Sequence, residues 1–246
     1  MLSGTAPVAE LIGHAANMAA FDTAPETFAD TIVFQAMYEI LAIGRQTSLP
    51  AGLHPTNPPS MVVQAWHCPQ SAWGAFSMLQ LRVGCRSGLR PRGMVQGCVI
   101  DNALAAEALR ARWGLPAQVG EVHLDVDYHR VSLIASLDDH TVCEVNAFDP
   151  VPLGSDDVSF ATTVALAHTP RGDRLVQIDT ALAVTRAERL RLLPYSGDTC
   201  PTGLHRAVVP QTPVAASVSR GALTLQALRF VNKPEDMAFT GTESVG

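Results

Sequence analysis

The spacing of apolar and polar residues predicts a chain built mainly of short β-strands. Three apolar runs, rich in β-branched and aromatic residues and separated by Gly, Pro and Ser, cover 61–68, 74–85 and 93–102. Short runs bounded by turn residues are typical of strands. Residues 121–129 alternate strictly, with Val122, Leu124, Val126 and Tyr128 sharing one face. We expect a strand there with one buried and one wet side.

Helices are few in this pattern. Residues 102–114 combine Ala, Leu, Glu and Arg, and Asn102 and Gly114 are suited to begin and end a helix there. A second helix is expected at 185–193, and Asp138-Asp139 is expected to form a hairpin turn. The segment 31–43 mixes strand-like and helix-like spacing and leaves both structures open.

Many strands joined by short turns, with few helices, predict an α+β fold that is rich in β structure. We expect a curved or closed, mainly antiparallel sheet that encloses an apolar cavity. The first 28 residues are small and Ala-rich, and we expect an N-terminal arm or short helix there. The remaining residues, 29–246, contain no internal repeat and no long linker, which predicts a single domain.

The charge and composition of the chain argue against several classes of binding partner. The net charge is −6 and the basic residues are scattered, so no basic surface for nucleic acid or an anionic membrane is expected. No apolar run reaches the ~18 residues of a membrane span. With no basic leader at the N-terminus, we expect a cytoplasmic protein. The five cysteines lack a C-x-x-C pair and are expected to be reduced, buried thiols.

Two clusters of polar residues suggest binding sites but have simpler explanations. Glu121, His123, Asp125, Asp127 and His129 are of the types that bind metals. Alternate residues of a strand lie ~6.5–7 Å apart, so the five cannot converge on one ion. We therefore expect a row facing solvent and no metal site. Four arginines could bind a carboxylate, although exposed loop arginines are favoured: Arg82, Arg86, Arg90 and Arg92.

One longer stretch resembles a known family. The segment "GLRPRGMVQGCVIDNALAAEALRARWGLPAQVGEVHL" is similar to the acetoacetate decarboxylase family, in which a strand ending in Asp-Asn precedes an Ala-rich helix and a Trp-Gly-x-Pro turn. The similarity extends more weakly through "VVQAWHCPQSAWGAFSM" and covers about residues 60–150. It implies the fold of that family and a homo-oligomer, at least a dimer.

The resemblance also implies that the chemistry of the family is absent here. In the family, a lysine directly after the Pro-containing turn forms a Schiff base with a ketone. This chain has Ala117 and Gln118 at the two positions after that turn, and neither side chain can form an imine. A family glutamate falls on Met78, and a second falls near Val62 or Val63. The resemblance therefore implies a pocket that has lost its amine and its charged groups.

These observations lead to a hypothesis of function. We expect an enzyme of specialised metabolism, without a cofactor, that orients a polyketide-like or keto-acid-derived molecule for cyclisation, dehydration or isomerisation. Gln118 would donate a hydrogen bond to a carbonyl, and His67 would carry protons. The expected substrate-binding residues are Trp66, Val63, Met78, Gln80, Trp113 and Ala117.

Two alternatives remain open. The same pocket could belong to a non-catalytic protein that binds a small molecule or assists a partner. The chain could also be a decarboxylase that uses Lys233, the only lysine in the sequence. Lys233 lies in a polar stretch before a proline, where a lysine is expected to face solvent.

Overall fold

Sixteen strands and three short α-helices form the part of the chain that the computed structural model describes, residues 2–21, 24–88, 90–195, 208–237 and 240–245. The helices are α1 (Val8–Leu11), α2 (Ala42–Thr47) and α3 (Ala103–Trp113). The strands are β1 (Ala16–Asn17), β2 (Glu26–Glu39), β3 (His54–Pro55), β4 (Ser60–Cys68), β5 (Phe76–Ser87), β6 (Arg90–Ile100), β7 (Ala117–Val119), β8 (Glu121–Val126), β9 (Arg130–Leu137), β10 (His140–Pro152), β11 (Thr162–Thr169), β12 (Gly172–Ile178), β13 (Thr180–Leu192), β14 (Pro213–Leu225), β15 (Phe230–Asn232) and β16 (Thr242–Ser244).

All the strands join one mainly antiparallel sheet. Its order is β16-β15-β12-β11-β6-β5-β4-β2-β14-β13-β10-β9-β8, with β1, β3 and β7 beside β11, β5 and β6. The parallel pairs are β1 with β11, β6 with β11 and β6 with β7. The strand-rich, mainly antiparallel fold expected from the sequence is therefore confirmed. The path ends at two different strands, β8 and β16, so the sheet is open rather than closed.

The central strands are buried on both faces. The first ten residues of β5 are all buried, although neighbouring residues of a strand point to opposite sides. Leu79 belongs to one hydrophobic cluster, while Met78 belongs to a second cluster that includes Trp66, Cys98 and helix α3. We call this second side of β4, β5 and β6 the α3 face. The opposite face carries Val63, Leu79 and Val99.

Helix α3 begins and ends as its sequence predicts. The Asn102 Oδ1 accepts hydrogen bonds from the backbone N–H groups of Leu104 and Ala105, at 3.0 and 3.1 Å. Gly114 has a φ of 69°, the left-handed conformation that ends helices, and its N–H donates to the carbonyl of Arg110 at 3.1 Å. The side-chain amide of Asn102 also donates to two carbonyls in the loop before β5.

The helix expected at 185–193 is wrong. Those residues belong almost entirely to β13, which pairs with both β10 and β14. Helix propensity differs by less than about 1 kcal/mol between ordinary residues, so pairing with two neighbouring strands overrides it. The undecided segment 31–43 divides between the two structures, because β2 runs to Glu39 and α2 begins at Ala42.

The turn forms as its pattern predicts, but the strand at 121–129 follows its pattern only in part. Asp138 and Asp139 have φ values of 49° and 62° and connect β9 to β10. The predicted strand at 121–129 ends at Val126, and its polar residues, together with Asp127 and His129, are exposed to solvent. Val126 and Tyr128, expected on the buried side, are 38% and 84% exposed, because β8 ends at Val126 and is the last strand of the sheet.

The N-terminal residues contribute to the sheet. After α1 and a single 3₁₀ turn, β1 pairs with β11. Strand β2 begins at Glu26, so the boundary expected after residue 28 falls inside this strand, and Phe28 is buried in the second cluster. Among the described residues, no helix has the length and apolar character needed to span a membrane.

We expect Asn102→Ala to lower the free energy of unfolding by about 1–3 kcal/mol, because the change removes the helix cap and the two bonds to the preceding loop. Urea unfolding measures the effect. Asn102→Asp retains the capping oxygen and is expected to lose less. Equal stability of the wild type and Asn102→Ala would contradict this account of the start of α3.

Candidate functional site

A row of five paired residues, three of them glutamines, crosses the central strands on the α3 face. Gln35, Gln64, Gln80, Cys98 and Ala117 are in register across β2, β4, β5, β6 and β7. Residues paired in this way share a face of the sheet. Gln64 and Gln80 are buried, and the Gln64 Nε2 donates to the Gln35 Oε1 at 3.3 Å. The amide groups of this row therefore extend from Gln35, which is partly exposed, to Gln80 in the apolar core.

Two polar atoms beside this row lack a hydrogen-bond partner among the described residues. They are the indole Nε1 of Trp66 and the Oε1 of Gln80, and both are buried. The Gln80 Nε2 has only a weak contact, 3.9 Å from the Met78 sulfur. Trp66 pairs with Met78, which precedes Gln80 by two residues on β5. Trp66 and Gln80 are therefore diagonal neighbours, whose backbone positions lie about 7–8 Å apart.

An unpaired buried polar group costs about 1–3 kcal/mol, so native proteins supply a partner from the chain, from water or from a ligand. Trp66 offers a donor and Gln80 an acceptor. A molecule that carries both a hydrogen-bond acceptor and a hydrogen-bond donor has the two groups that these atoms lack.

A pocket of about 350 Å³ lies at the end of this row, beside α3 and β7. It is lined by Asn17, Ala103, Ala106, Glu107, Arg110, Ala111, Ala117 and Val119. Ala117 is thus both a pocket residue and the last member of the row. The short side chains of Ala117 and Cys98 separate this pocket from Gln80, a distance of two strand spacings, or about 9.6 Å.

Trp113 packs in the hydrophobic cluster of the α3 face, and its indole N–H already has a partner within the protein. Its indole is buried, and its Nε1 donates to the carbonyl of Gln226 at 3.2 Å. The ring packs against Trp73 at a centroid distance of 6.5 Å, and the Arg112 guanidinium stacks on it at 4.2 Å. The indole is therefore held in place by contacts within the protein.

The structure divides the residues expected to form one site between the two faces of the sheet. Five of them lie on the α3 face: Trp66, Met78, Gln80, Trp113 and Ala117. Gln118 lies on the opposite face because it pairs with Val99 and follows Ala117 in a strand. Its Nε2 is also buried without a partner among the described residues.

Val63 and His67 lie on this opposite face as well. Val63 packs in the first cluster, and the His67 Nδ1 lies 3.1 Å from the Ser77 hydroxyl. His67 pairs with Ile32, which borders a second pocket of about 370 Å³ near the turn between β8 and β9. The sheet therefore separates His67 and Gln118 from the unpaired atoms of Trp66 and Gln80.

Arg82 is buried on the α3 face, contrary to the expectation from the sequence. Expected on an exposed loop, it is only 2% exposed, because β5 continues past it and directs its side chain inwards. Its guanidinium donates to the carbonyl of Ala161 at 3.2 Å and to the Thr163 hydroxyl at 2.9 Å. Burial lowers the pKa of Arg82 to about 10, so it remains charged at neutral pH.

The other three arginines of this group have different surroundings. Arg86 and Arg90 are exposed, as expected. Arg92, also expected on an exposed loop, instead lies within β6 and its side chain is only 10% exposed; it lies 3.6 Å from the Asp179 carboxylate and donates to the Gln177 Oε1 at 2.9 Å. Arg92 therefore has an acidic partner, and Arg82 has none among the described residues.

Neither the lone lysine nor a metal site adds to this region. The Lys233 side chain is half-exposed, and its Nζ lies 3.7 Å from the Asp236 carboxylate. An exposed, ion-paired ammonium is not the desolvated neutral amine that Schiff-base chemistry requires. Within the described part of the chain, no three His, Cys, Asp or Glu residues are grouped as metal ligands would be.

Comparisons with known proteins identify the fold. No protein-family model and no curated protein sequence match this chain. Among solved structures, an acetoacetate decarboxylase from Legionella pneumophila is 18% identical, with a TM-score of 0.72 over 86% of this chain and 88% of that chain. An acetoacetate decarboxylase-like enzyme from Sphingomonas wittichii is 14% identical, with a TM-score of 0.68 over 84% and 92%.

A third similar structure is the enduracididine biosynthesis enzyme MppR complexed with pyruvate. It is 15% identical, with a TM-score of 0.68 over 91% of each chain. At these identities the comparisons show the fold that the resemblance implied, an acetoacetate decarboxylase-like fold.

We expect the buried cysteines to be unreactive in the native protein. Burial raises the pKa of the Cys68, Cys85 and Cys98 thiols to about 12. At about pH 8 these thiols are protonated, whereas the thiolate is the reactive form. Labelling with Ellman's reagent and peptide mass mapping should leave all three unmodified until a denaturant is added. Rapid labelling of native Cys98 would show that the α3 face is open to reagents.

Proposed function

We propose that this protein is an enzyme that binds a polyketide-like or keto-acid-derived small molecule on the α3 face and promotes its cyclisation, dehydration or isomerisation without an imine. The observation that carries this proposal is the pair of unpartnered polar atoms, the Trp66 Nε1 and the Gln80 Oε1. A carbonyl oxygen can accept from the indole N–H, while a hydroxyl or enol of the same molecule donates to the amide oxygen.

The pocket at Ala117 lies on the same row as Gln80. A molecule bound between α3 and β7 would reach Gln80 only if the buried side chains of Ala117 and Cys98 moved aside. The pocket itself is lined by alanines together with Asn17, Glu107 and Arg110, whereas the buried surroundings of Gln80 include the apolar side chains of Trp66 and Met78. Apolar walls with a few fixed polar groups are typical of small-molecule sites.

The proposed chemistry does not use an amine. The resemblance places Ala117 where the family has its reactive lysine, and Lys233 is exposed and ion-paired. What the site offers instead is orientation of a flexible substrate together with polarisation of its carbonyl by Trp66. Trp66 thereby takes the donor role expected of Gln118, because the sheet separates Gln118 from this face.

The similar structures support an enzyme in specialised metabolism. One of them is described as an enduracididine biosynthesis enzyme bound to the condensation product of pyruvate and imidazole 4-carboxaldehyde, at 16% identity and a TM-score of 0.67. That protein shows that this fold accommodates an organic molecule assembled from a keto acid. The likeness in fold supports the proposed class of substrate without specifying the molecule.

A binding protein without catalytic activity is the second candidate. The polar groups of the α3 face are an indole, amides, a guanidinium and the Cys98 thiol, whose pKa burial raises to about 12. These groups do not exchange protons readily at neutral pH, so a bound molecule would have to react through its own groups. This observation favours binding alone over acid–base catalysis by the side chains of this face.

Linear β-keto thioesters can distinguish the two candidates. We expect the purified protein to convert at least one of them to a cyclic or dehydrated product, detected by chromatography and mass spectrometry, at a rate proportional to protein concentration. A thioester that binds and is recovered unchanged at every protein concentration would exclude catalysis of these reactions and identify a binding protein.

We expect Trp66→Phe and Gln80→Leu each to lower the turnover or affinity of such a probe at least about tenfold, because each removes a hydrogen bond inside the buried site. Gln118→Leu is the matched control, since it removes an amide from the opposite face, and it is expected to retain the probe affinity. Unfolding by urea verifies that the variants fold. A larger loss of turnover or affinity in Gln118→Leu than in Gln80→Leu would indicate that the site lies on the face opposite the α3 face.

The absence of imine chemistry is tested separately. Treatment with acetoacetate and borohydride is expected to leave Lys233 unmodified in peptide mass spectra, because its ammonium is solvated and ion-paired. A reduced adduct on Lys233 would restore the lysine-dependent decarboxylase as the function.

A further inference from the structure

Three polar side chains at the rim of the pocket beside α3 and β7 have no partner within the described part of the chain. They are the carboxylate of Glu107, the guanidinium of Arg110 and the amide of Asn17, and all three are exposed and line this pocket of about 350 Å³. None of them forms a hydrogen bond or an ion pair with another described residue. The proposed function assigns no role to these three groups.

Glu107 and Arg110 carry opposite charges on one wall of the pocket without neutralising each other. They lie three residues apart on α3, where the Cβ atoms are about 5–6 Å apart and an ion pair can form. Exposed groups with the same separation in sequence do pair elsewhere, since Arg130 lies 3.6 Å from the Asp127 carboxylate. Both charges of α3 therefore remain available to a molecule in the pocket.

The base of this pocket is apolar and is made by short side chains. Ala106 and Ala117 line the pocket although they are only 3% and 1% exposed, so they form its base. Ala103, Ala111 and Val119 border the same space and are exposed. The pocket thus combines a charged rim with an apolar base, and no long side chain of α3 or β7 fills the space between them.

From this arrangement we infer that the pocket binds a free α-amino acid with an apolar side chain. The ammonium of the amino acid would face Glu107, and its carboxylate would face Arg110, whose guanidinium matches a carboxylate in charge and in hydrogen-bond geometry. The Asn17 amide can donate to the same carboxylate or accept from the ammonium. The apolar side chain of the ligand would then lie against the alanines at the base of the pocket.

A ligand with both charges fits this pocket better than a ligand with one. A simple carboxylate would satisfy Arg110 but would place its negative charge beside Glu107. A simple amine would satisfy Glu107 but would place its positive charge beside Arg110. Like charges in such proximity repel, whereas an amino acid presents each charge to its opposite. The net charge of −6 also gives the chain no general attraction for anions.

This site is separate from the unpaired atoms on which the proposed function depends. The buried side chains of Ala117 and Cys98 lie between the pocket and Gln80. Trp66 and Gln80 do not line the pocket. Binding of an amino acid at α3 therefore goes beyond the proposed function and does not require it.

Saturation-transfer NMR and isothermal titration of the full chain with L-alanine, L-leucine and L-phenylalanine test the site. At low, constant ionic strength, we expect at least one of the three to bind. For the amino acid that binds best, two analogues each lack one charge: the carboxylic acid without the amino group and the amine without the carboxyl group. Each analogue is expected to bind the wild type about fivefold more weakly, because each loses one ion pair.

Glu107→Gln and Arg110→Gln assign each charge to its partner. We expect Glu107→Gln to weaken the amino acid about fivefold without weakening the carboxylic acid, and Arg110→Gln to weaken the amino acid to a similar degree without weakening the amine. Gln has a helix propensity close to that of Glu and Arg, so both variants are expected to fold. Glu235→Gln and Arg189→Gln are the matched controls, since they remove exposed charges outside the pocket, and they are expected to retain the wild-type affinity.

Several results would overturn the amino acid site. One is the failure of all three amino acids to bind at any concentration up to their solubility limits. Another is an analogue that binds the wild type as tightly as the amino acid does, which would show that only one charge is recognised. Unchanged affinity for the amino acid in both Glu107→Gln and Arg110→Gln would also exclude this pocket.

Trp66→Phe separates this inference from the proposed function. We expect Trp66→Phe to bind the amino acid as the wild type does, whatever its effect on β-keto thioesters. Loss of amino acid binding in Trp66→Phe, with full binding in Glu107→Gln, would move the amino acid to the unpaired atoms of the α3 face and overturn the site proposed at the pocket. If no thioester is bound or converted but the charge-matched pattern is found, the amino acid site stands and the proposed function fails.

Discussion

The fold depends on one constraint, that the central strands β4, β5 and β6 are covered on both faces. A strand in this position cannot send its polar side chains to solvent, so each polar group must find a partner inside the protein. Most positions of these strands meet the constraint with apolar side chains, which form the two clusters on either side. The polar residues that remain are therefore the positions where the structure is informative about function.

Four of these exceptions lie together on the α3 face: Gln64, Gln80, Arg82 and Trp66. Gln64 is satisfied by Gln35, whereas Trp66 and Gln80 retain unpaired atoms and Arg82 retains an unpaired charge. Other buried side-chain atoms without a partner among the described residues belong to Arg45, Arg92, Gln118 and Arg174, whereas Trp66 and Gln80 lie together on adjacent strands of one face. The candidate site is thus defined by polar atoms on one face of the sheet that have no partner among the described residues.

The same constraint explains how a shared fold accommodates different chemistry. Acetoacetate decarboxylase and this chain have the same overall fold at 18% identity, since a strand order can be maintained by many apolar sequences. Chemistry is set by the few polar side chains that project from the strands. Here Ala117 lines a pocket at the position where the resemblance implies a lysine, and the indole of Trp66 and the amide of Gln80 lie on other strands of the same face.

The sequence alone determined the strand-rich class, the capped helix α3, the hairpin at Asp138-Asp139 and the residue types near the site, because these depend on local alternation, capping and turn chemistry. The tertiary structure decided which residues share a face. Residues 185–193, expected to be a helix, belong almost entirely to β13. Gln118 and His67 lie on the face opposite Trp66, and Arg82 is buried. Such outcomes depend on strand pairing and on what covers each face, which involve residues far apart in the chain.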